Sequence, residues 1–131
     1  MITIDYQSGL PFYEQIAERF QTLILRGVLS SDTQMPSVRS LAMELSINPN
    51  TIQKAYSLLE QQGYIYPVRG RGNFVADCTE LAKRKKEALL EEIRRLLESG
   101  RDLGLTRTDF ITVVDRLYGE EDTTDDRAER P

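Results

Sequence analysis

Residues 37–63 read SVRSLAMELSINPNTIQKAYSLLEQQG, and this stretch decides the fold. Val38, Leu41, Ala42 and Leu45 recur at i, i+3, i+4 and i+7, which predicts a short helix from Ser37 to Leu45 with one buried face. Ser37 suits its N-cap, because a serine hydroxyl accepts a hydrogen bond from a free N–H of the first turn. Only Ser46-Ile47-Asn48 separates this helix from the next. Asn48 is a capping residue, and Pro49 fits the first helical position, where a missing N–H costs nothing. Ile47 and Ile52 flank the cap as a hydrophobic staple. The second of the two helices runs to Gln62, and Gly63 is placed to end it in a left-handed conformation. Two helices joined by so short a turn form a helix-turn-helix unit. On the later helix Ile52, Ala55, Tyr56 and Leu59 share one stripe. Asn50, Thr51, Gln53, Lys54 and Ser57 share the other, which carries one cation and no carboxylate. Taken alone, that face also fits an ordinary solvated helix surface.

Upstream, Tyr13, Ile16, Ala17, Phe20, Leu23 and Ile24 predict a helix from Pro11 to about Arg26, with Pro11 in its first turn. The segment from there to Pro36 reads as a surface loop. Downstream, residues 64–76 are rich in β-formers on either side of Arg69-Gly70-Arg71-Gly72, which predicts a β-hairpin with a glycine-containing tip. A hairpin directly after a helix-turn-helix is a wing, and two arginines sit at its tip. The tip is not a phosphate loop, because it lacks the Lys-Ser/Thr ending. A long helix follows from Thr79 to about Ser99, stopped at Gly100. A second runs from Thr106 to Tyr118, closed by Gly119, with Thr106 and Asp109 as its capping box.

The fold class is therefore mainly α with a small β-hairpin: a winged helix-turn-helix domain (residues 1–78) plus a C-terminal two-helix segment (79–119). Residues 120–131 are expected to be an acidic, disordered tail. The long helix, roughly 30 Å for about 20 residues, is long enough to reach out of a small domain. Its stripe and that of the last helix exceed what the two can bury against each other. A two-fold dimer through Leu89, Ile93, Leu96, Phe110, Val114 and Leu117 satisfies them. A folded-back monomer is the alternative.

Among the 131 residues there are one Cys, no His and no Trp. Absent His removes the Ser-His-Asp and Cys-His constellations and His metal ligands. One Cys cannot form an internal disulfide or a multi-Cys zinc site. No catalytic residue, metal ligand or cofactor is expected, and an enzyme is the least favoured reading. No signal peptide or bilayer-length apolar run is found, so no membrane partner is expected and the cytoplasm is the expected compartment. Cys78, beside Asp77 and Glu80, is poorly placed for a reactive thiolate.

The net charge of −4 argues at first against nucleic acid. Its location removes the objection. Residues 119–131 hold six acids and two arginines, and residues 1–118 hold fifteen acids and fifteen cations. Within 37–71 four cations (Arg39, Lys54, Arg69, Arg71) face two acids (Glu44, Glu60). A local charge this small predicts weak non-specific binding per chain, and hence a need for two copies.

Met35-Pro36-Ser37-Val38-Arg39-Ser40-Leu41-Ala42, Asn48 to Tyr56, Leu59 to Gly63 and Arg69 to Val75 together resemble the GntR family of bacterial transcription regulators. The matched spacing covers residues 11–76. The Asn-Pro-Asn-Thr turn and the short helical C-terminus resemble its YtrA-type branch, which lacks the large ligand-binding domain seen elsewhere in the family. The resemblance implies a homodimer joined through the C-terminal helices that represses operons, often those of transporters, by binding a palindromic double-stranded DNA operator. It places Ser37 and Arg39 in the family's Pro-Ser-x-Arg motif, where the arginine contacts DNA. It sets Asn48, Asn50, Thr51 and Gln53 toward the major groove, with Lys54 beside them. It carries Arg69 and Gly70 at the wing tip toward the minor groove, and Arg71 beside them, with Arg39 and Lys54, is expected on phosphates. Pro49 and Gln53 stand where many relatives have arginine, and Gln53 suits an adenine edge. No residue points to a small-molecule effector. The competing reading is a winged-helix protein–protein interaction module without DNA readout, which calls for an apolar patch on the third helix.

Overall fold

The computed structural model describes residues 2–129, with side chains through residue 119. It forms two compact units, Met1–Arg84 and Lys85–Pro131. The first extends beyond residue 78, the boundary expected from sequence, because Leu81 packs against its core.

Helix α1 (Phe12–Leu25) buries Ile16, Ala17, Phe20 and Ile24. Pro11 lies one residue outside it at the N-cap, not in the first turn as expected, because its ψ of 150° is extended. Its carbonyl accepts from the Glu14 and Gln15 N–H groups. Helix α2 (Val38–Leu45) is capped by Ser37, whose hydroxyl accepts from the Ser40 N–H at 3.0 Å. Ser46, left-handed at φ 55°, ends it. Helix α3 (Pro49–Gln61) starts on Asn48, whose Oδ1 accepts from the Asn50 N–H at 2.8 Å. Gly63 at φ 87° ends it with two closing bonds, Gly63 N–H to Glu60 O and Tyr64 N–H to Leu59 O.

Strands β1 (Ile65–Val68) and β2 (Gly72–Val75) pair antiparallel, with Ile65 opposite Val75 and Val68 opposite Gly72. The expected surface loop before Pro36 is corrected in part. Residues 32–35 lie along β2: Asp32 N–H donates to Val75 O, Val75 N–H to Thr33 O, and Met35 N–H to Asn73 O. Met35 is buried there. Pairing along the sheet edge satisfies backbone groups that a loop would leave to water.

The core of this unit joins α1, α2, α3 and the hairpin through Ile16, Phe20, Leu41, Ile52, Tyr56, Leu59, Tyr64, Ile65 and Val75. Each side chain so buried contributes about 1.5–3 kcal/mol, which is what holds three short helices in register. Phe20 and Tyr56 meet edge-on with ring centres 5.9 Å apart.

Helix α4 (Thr79–Asp102) runs past Gly100, and α5 (Arg107–Glu129) runs past Gly119. Both expected stops are corrected. Gly100 is a buried helical position facing the Phe110 ring. The turn falls instead at Gly104, φ 92°, where Leu105 N–H closes back on Gly100 O at 2.9 Å. The capping box at Thr106 and Asp109 forms both bonds, 2.7 and 3.2 Å. After Gly119 no proline or left-handed glycine interrupts the chain, so the helix continues to Glu129. The expected tail at 120–131 lies outside the described side chains, and residues 130 and 131 lie outside the described residues. Among the described residues no helix is long and apolar enough to cross a membrane.

Candidate nucleic-acid interface

Three pieces of the first unit carry the polar residues singled out from sequence. Ser37 and Arg39 stand at the start of α2. Asn48, Asn50, Thr51, Gln53 and Lys54 occupy the first turns of α3, and Arg69, Gly70 and Arg71 form the hairpin tip. All ten are exposed except Thr51, which is half-buried.

The α3 face arises because its other stripe is fully committed to the core, with Ile52, Ala55, Tyr56 and Leu59 buried. What remains outward over the first two turns is hydrogen-bonding and free of carboxylates. Asn48 spends its carbonyl oxygen on the cap and keeps its amide donors. Gln53 Nε2 donates to Ser57 Oγ at 3.3 Å, a bond along the helix surface. Lys54 sits with Nζ 4.1 Å from the centre of the Tyr13 ring on α1. A cation over an aromatic face is attracted electrostatically, by about 0.5–1 kcal/mol at an exposed site, which favours this placement of the ammonium.

The Tyr56 hydroxyl faces inward. It donates to Pro36 O at 2.7 Å, so the residue belongs to the core. Burial pushes its phenol well above the usual tyrosine range and keeps it protonated. That bond ties the middle of α3 to the residue just before Ser37, and so holds the start of α2 against α3.

At the wing, Arg71 N–H donates to Val68 O at 2.9 Å and Gly70 has φ 78°. That makes Val68 to Arg71 a type II turn with Arg69 at its leading corner, and glycine is the residue that tolerates the second corner. Arg71 lies with its guanidinium carbon 5.6 Å from the Phe74 ring centre, and Phe74 stacks on Tyr66. The Tyr66 hydroxyl donates to Asp32 Oδ1 at 2.6 Å, which raises its pKa.

Sequence reasoning missed two residues here. Tyr13 reads in sequence as part of the α1 stripe alone, yet it also carries Lys54. Gln34, read as loop, donates from Nε2 to Arg71 O at 2.8 Å. Neither partner is near in sequence, so no local pattern marks them. Cys78 is buried, and burial followed by the Asp77 charge raises its pKa, as its neighbours suggested. Among the described residues no His/Cys/Asp/Glu cluster could hold a metal ion.

An outward polar helix face after a tight turn, followed by an arginine-tipped wing, makes this unit a winged helix-turn-helix domain. Residues 12–75 match the family model described as bacterial regulatory proteins, gntR family. The chain is 39% identical over 99 residues to the HTH-type transcriptional repressor YtrA of Bacillus subtilis (strain 168), covering 74% of this chain and 76% of that one. Its structure is similar to that of YtrA from Sulfolobus acidocaldarius, described as a GntR-family transcription factor. The TM-score is 0.59 at 35% identity, over 74% of this chain and 97% of that one. It is also similar to AraR(DBD) in complex with operator ORX1, with a TM-score of 0.52 at 31% identity over 57% and 96% of the two chains. The chain belongs to the GntR family. Its relatives are named for transcription regulation and not for catalysis, in agreement with the reading that it is no enzyme.

Proposed function

We propose that the chain is a homodimeric repressor that binds a two-fold symmetric operator. Residues 1–78 bind DNA and residues 79–119 pair the two copies. Arg39, Lys54 and Arg71 neutralise phosphates, and Ser37 and Asn48 add neutral donors near the same strand. Asn50, Thr51 and Gln53 face base edges in the major groove. Arg69, carried by the Gly70 turn, enters the minor groove, where negative potential favours arginine. The observation that carries this reading is the outward face of α3: polar, hydrogen-bonding and without a carboxylate over its first two turns.

The pairing of copies is supported by the second unit. Leu89, Ile93 and Leu96 on α4 and Val114 and Leu117 on α5 are all exposed in the single chain, Leu96 and Leu117 at 66% each, with Phe110 half-buried beside them. A helical hairpin that leaves this much apolar surface uncovered is completed by a second copy. Two copies also add their phosphate contacts, which offsets the weak charge of one reading face.

The test is a titration of duplex DNA from upstream of the coding gene against a scrambled duplex at several salt concentrations. The expected result is a preference for the first and an affinity that falls steeply with salt for both. Gln53→Ala is expected to relax the choice at one base pair, and Arg39→Ala to weaken all sequences alike. A flat salt dependence, or equal affinity for every duplex, refutes the proposal.

A further inference from the structure

We infer that Gln34 is a positioning residue that aims the wing tip, an inference that rests on the wing's proposed contact with the minor groove. Four observations converge on it. Its Nε2 donates to Arg71 O at 2.8 Å, so a side chain outside the hairpin holds the carbonyl just after the Gly70 turn. Its backbone bridges Phe74 on β2, which fixes where that side chain starts. Met35 N–H donates to Asn73 O at 2.8 Å, which anchors the next residue to the same strand. Gly72, at φ 112°, lies against the same amide: a Cβ there would stand in contact with Gln34 Nε2, at 3.4 Å.

A three-residue tip, Arg69 to Arg71, with glycine at 70 and again at 72 where β2 begins, is otherwise loose, because glycine admits many backbone conformations. Gln34 removes that freedom on one side, and the Arg71–Phe74 contact removes it on the other. The brace also has a second end. Two residues on, Pro36 O accepts from Tyr56 Oη, and Ser37 then caps α2. The five residues 32–36 thus join the wing tip, the α2 start and α3 through one short length of chain. The distance between groove-reading helix and wing is set by this segment. Arg69, at the leading corner of the turn, is delivered in one direction without contacting Gln34 itself. A preorganised arm binds more tightly because less freedom is lost on binding.

The experiment uses the full chain and a duplex enriched by the wild-type protein from a library of randomised duplexes. Gln34→Leu keeps size and removes the donor, and Gln34→Glu keeps shape and turns an acceptor toward the Arg71 carbonyl. Either is expected to lose about five- to tenfold in affinity, the scale of one hydrogen bond. Combined with Arg69→Ala, the loss is expected to stay close to that of Arg69→Ala alone. Combined with Arg39→Ala, the losses are expected to multiply. Amide exchange at Arg71 and Gly72 is expected to quicken in both Gln34 variants while that of α3 holds. Affinity within about twofold of wild type, or losses that multiply with that of Arg69→Ala, overturns the positioning role and leaves the wing reading standing. An Arg69→Ala protein that binds as well as wild type overturns both.

Discussion

Tyr56→Phe removes one oxygen from the centre of the winged unit, and the structure fixes what that should cost. The ring is 1% exposed and meets Phe20 edge-on, so the apolar packing survives the change. What goes is the 2.7 Å bond to Pro36 O. A neutral hydrogen bond contributes about 1 kcal/mol net. Pro36 is only half-buried, so water partly replaces the lost donor and the cost stays near that figure. For a unit the size of Met1–Arg84, this lowers Tm by about 4–8 °C. The pH dependence carries an independent sign. Burial raises the folded pKa of Tyr56 above its unfolded value of about 10. The neutral phenol is the form the fold prefers, so its contribution is full below about pH 10 and is lost as pH rises past it. Wild type should therefore lose stability in alkali faster than Tyr56→Phe, and the two melting curves should converge. Circular dichroism melts of both proteins from neutral pH to about pH 11 test this. Equal Tm at neutral pH, or parallel alkaline slopes, refutes the assigned role of the hydroxyl. A loss above about 3 kcal/mol also refutes it, because that is the scale of losing the ring itself.

Gly63→Ala forces a side chain into φ 87° and is expected to destabilise by about 1 kcal/mol or more, read from denaturant midpoints. An unchanged midpoint refutes the left-handed stop. Leu96→Asp and Leu117→Asp place charge on the exposed stripes, and sedimentation equilibrium is expected to show a lighter species than wild type. Wild-type mass in both variants refutes pairing through these helices. The Cys78 thiol, with its pKa raised by burial, is expected to resist alkylation at neutral pH until denaturant is added. Prompt labelling of the native chain contradicts that burial.

The parts of the fold that were legible in sequence are those set by neighbours a few residues apart. Asn48 and Pro49 start α3 as their side chains dictate, and Gly63 ends it. Thr106 and Asp109 close their box although Asp is shorter than the usual Glu. The misread parts depend on distant partners. Gly100 looks like a stop because it lacks a Cβ, yet the lack serves a different end: a Cβ would stand 2.7 Å from the Phe110 Cζ. Helical stops need a left-handed residue with a returning N–H, and Gly104 with Leu105 supplies both. The segment up to Pro36 reads as a loop by composition, and the pairing of residues 32–35 with residues 73–75 has no signature in local periodicity. The same separation hid Gln34 and Tyr13 from the candidate interface. Residue types at the interface were readable because an outward helix face is the complement of a buried one. What positions them was not, because it is supplied by other elements.

The distribution of charge then follows from the same division of labour. Affinity for a polyanion is governed by the cations that reach phosphates, not by the sum over a chain. Four cations against two acids within residues 37–71 make a reading face whose sign is opposite to that of the whole. On the proposed reading one such face binds weakly, which keeps a single copy from being trapped on arbitrary DNA. Discrimination then has to come from elsewhere. On the same proposed reading it falls to neutral amides and a hydroxyl at Asn50, Thr51 and Gln53, and to the angle at which the wing is held. Adding cations to the α3 face, as with Gln53→Arg, should raise affinity for every duplex more than it raises preference for any one. On the proposed reading, pairing of copies multiplies both terms, so the exposed stripes of α4 and α5 serve the same end as the weakly charged face.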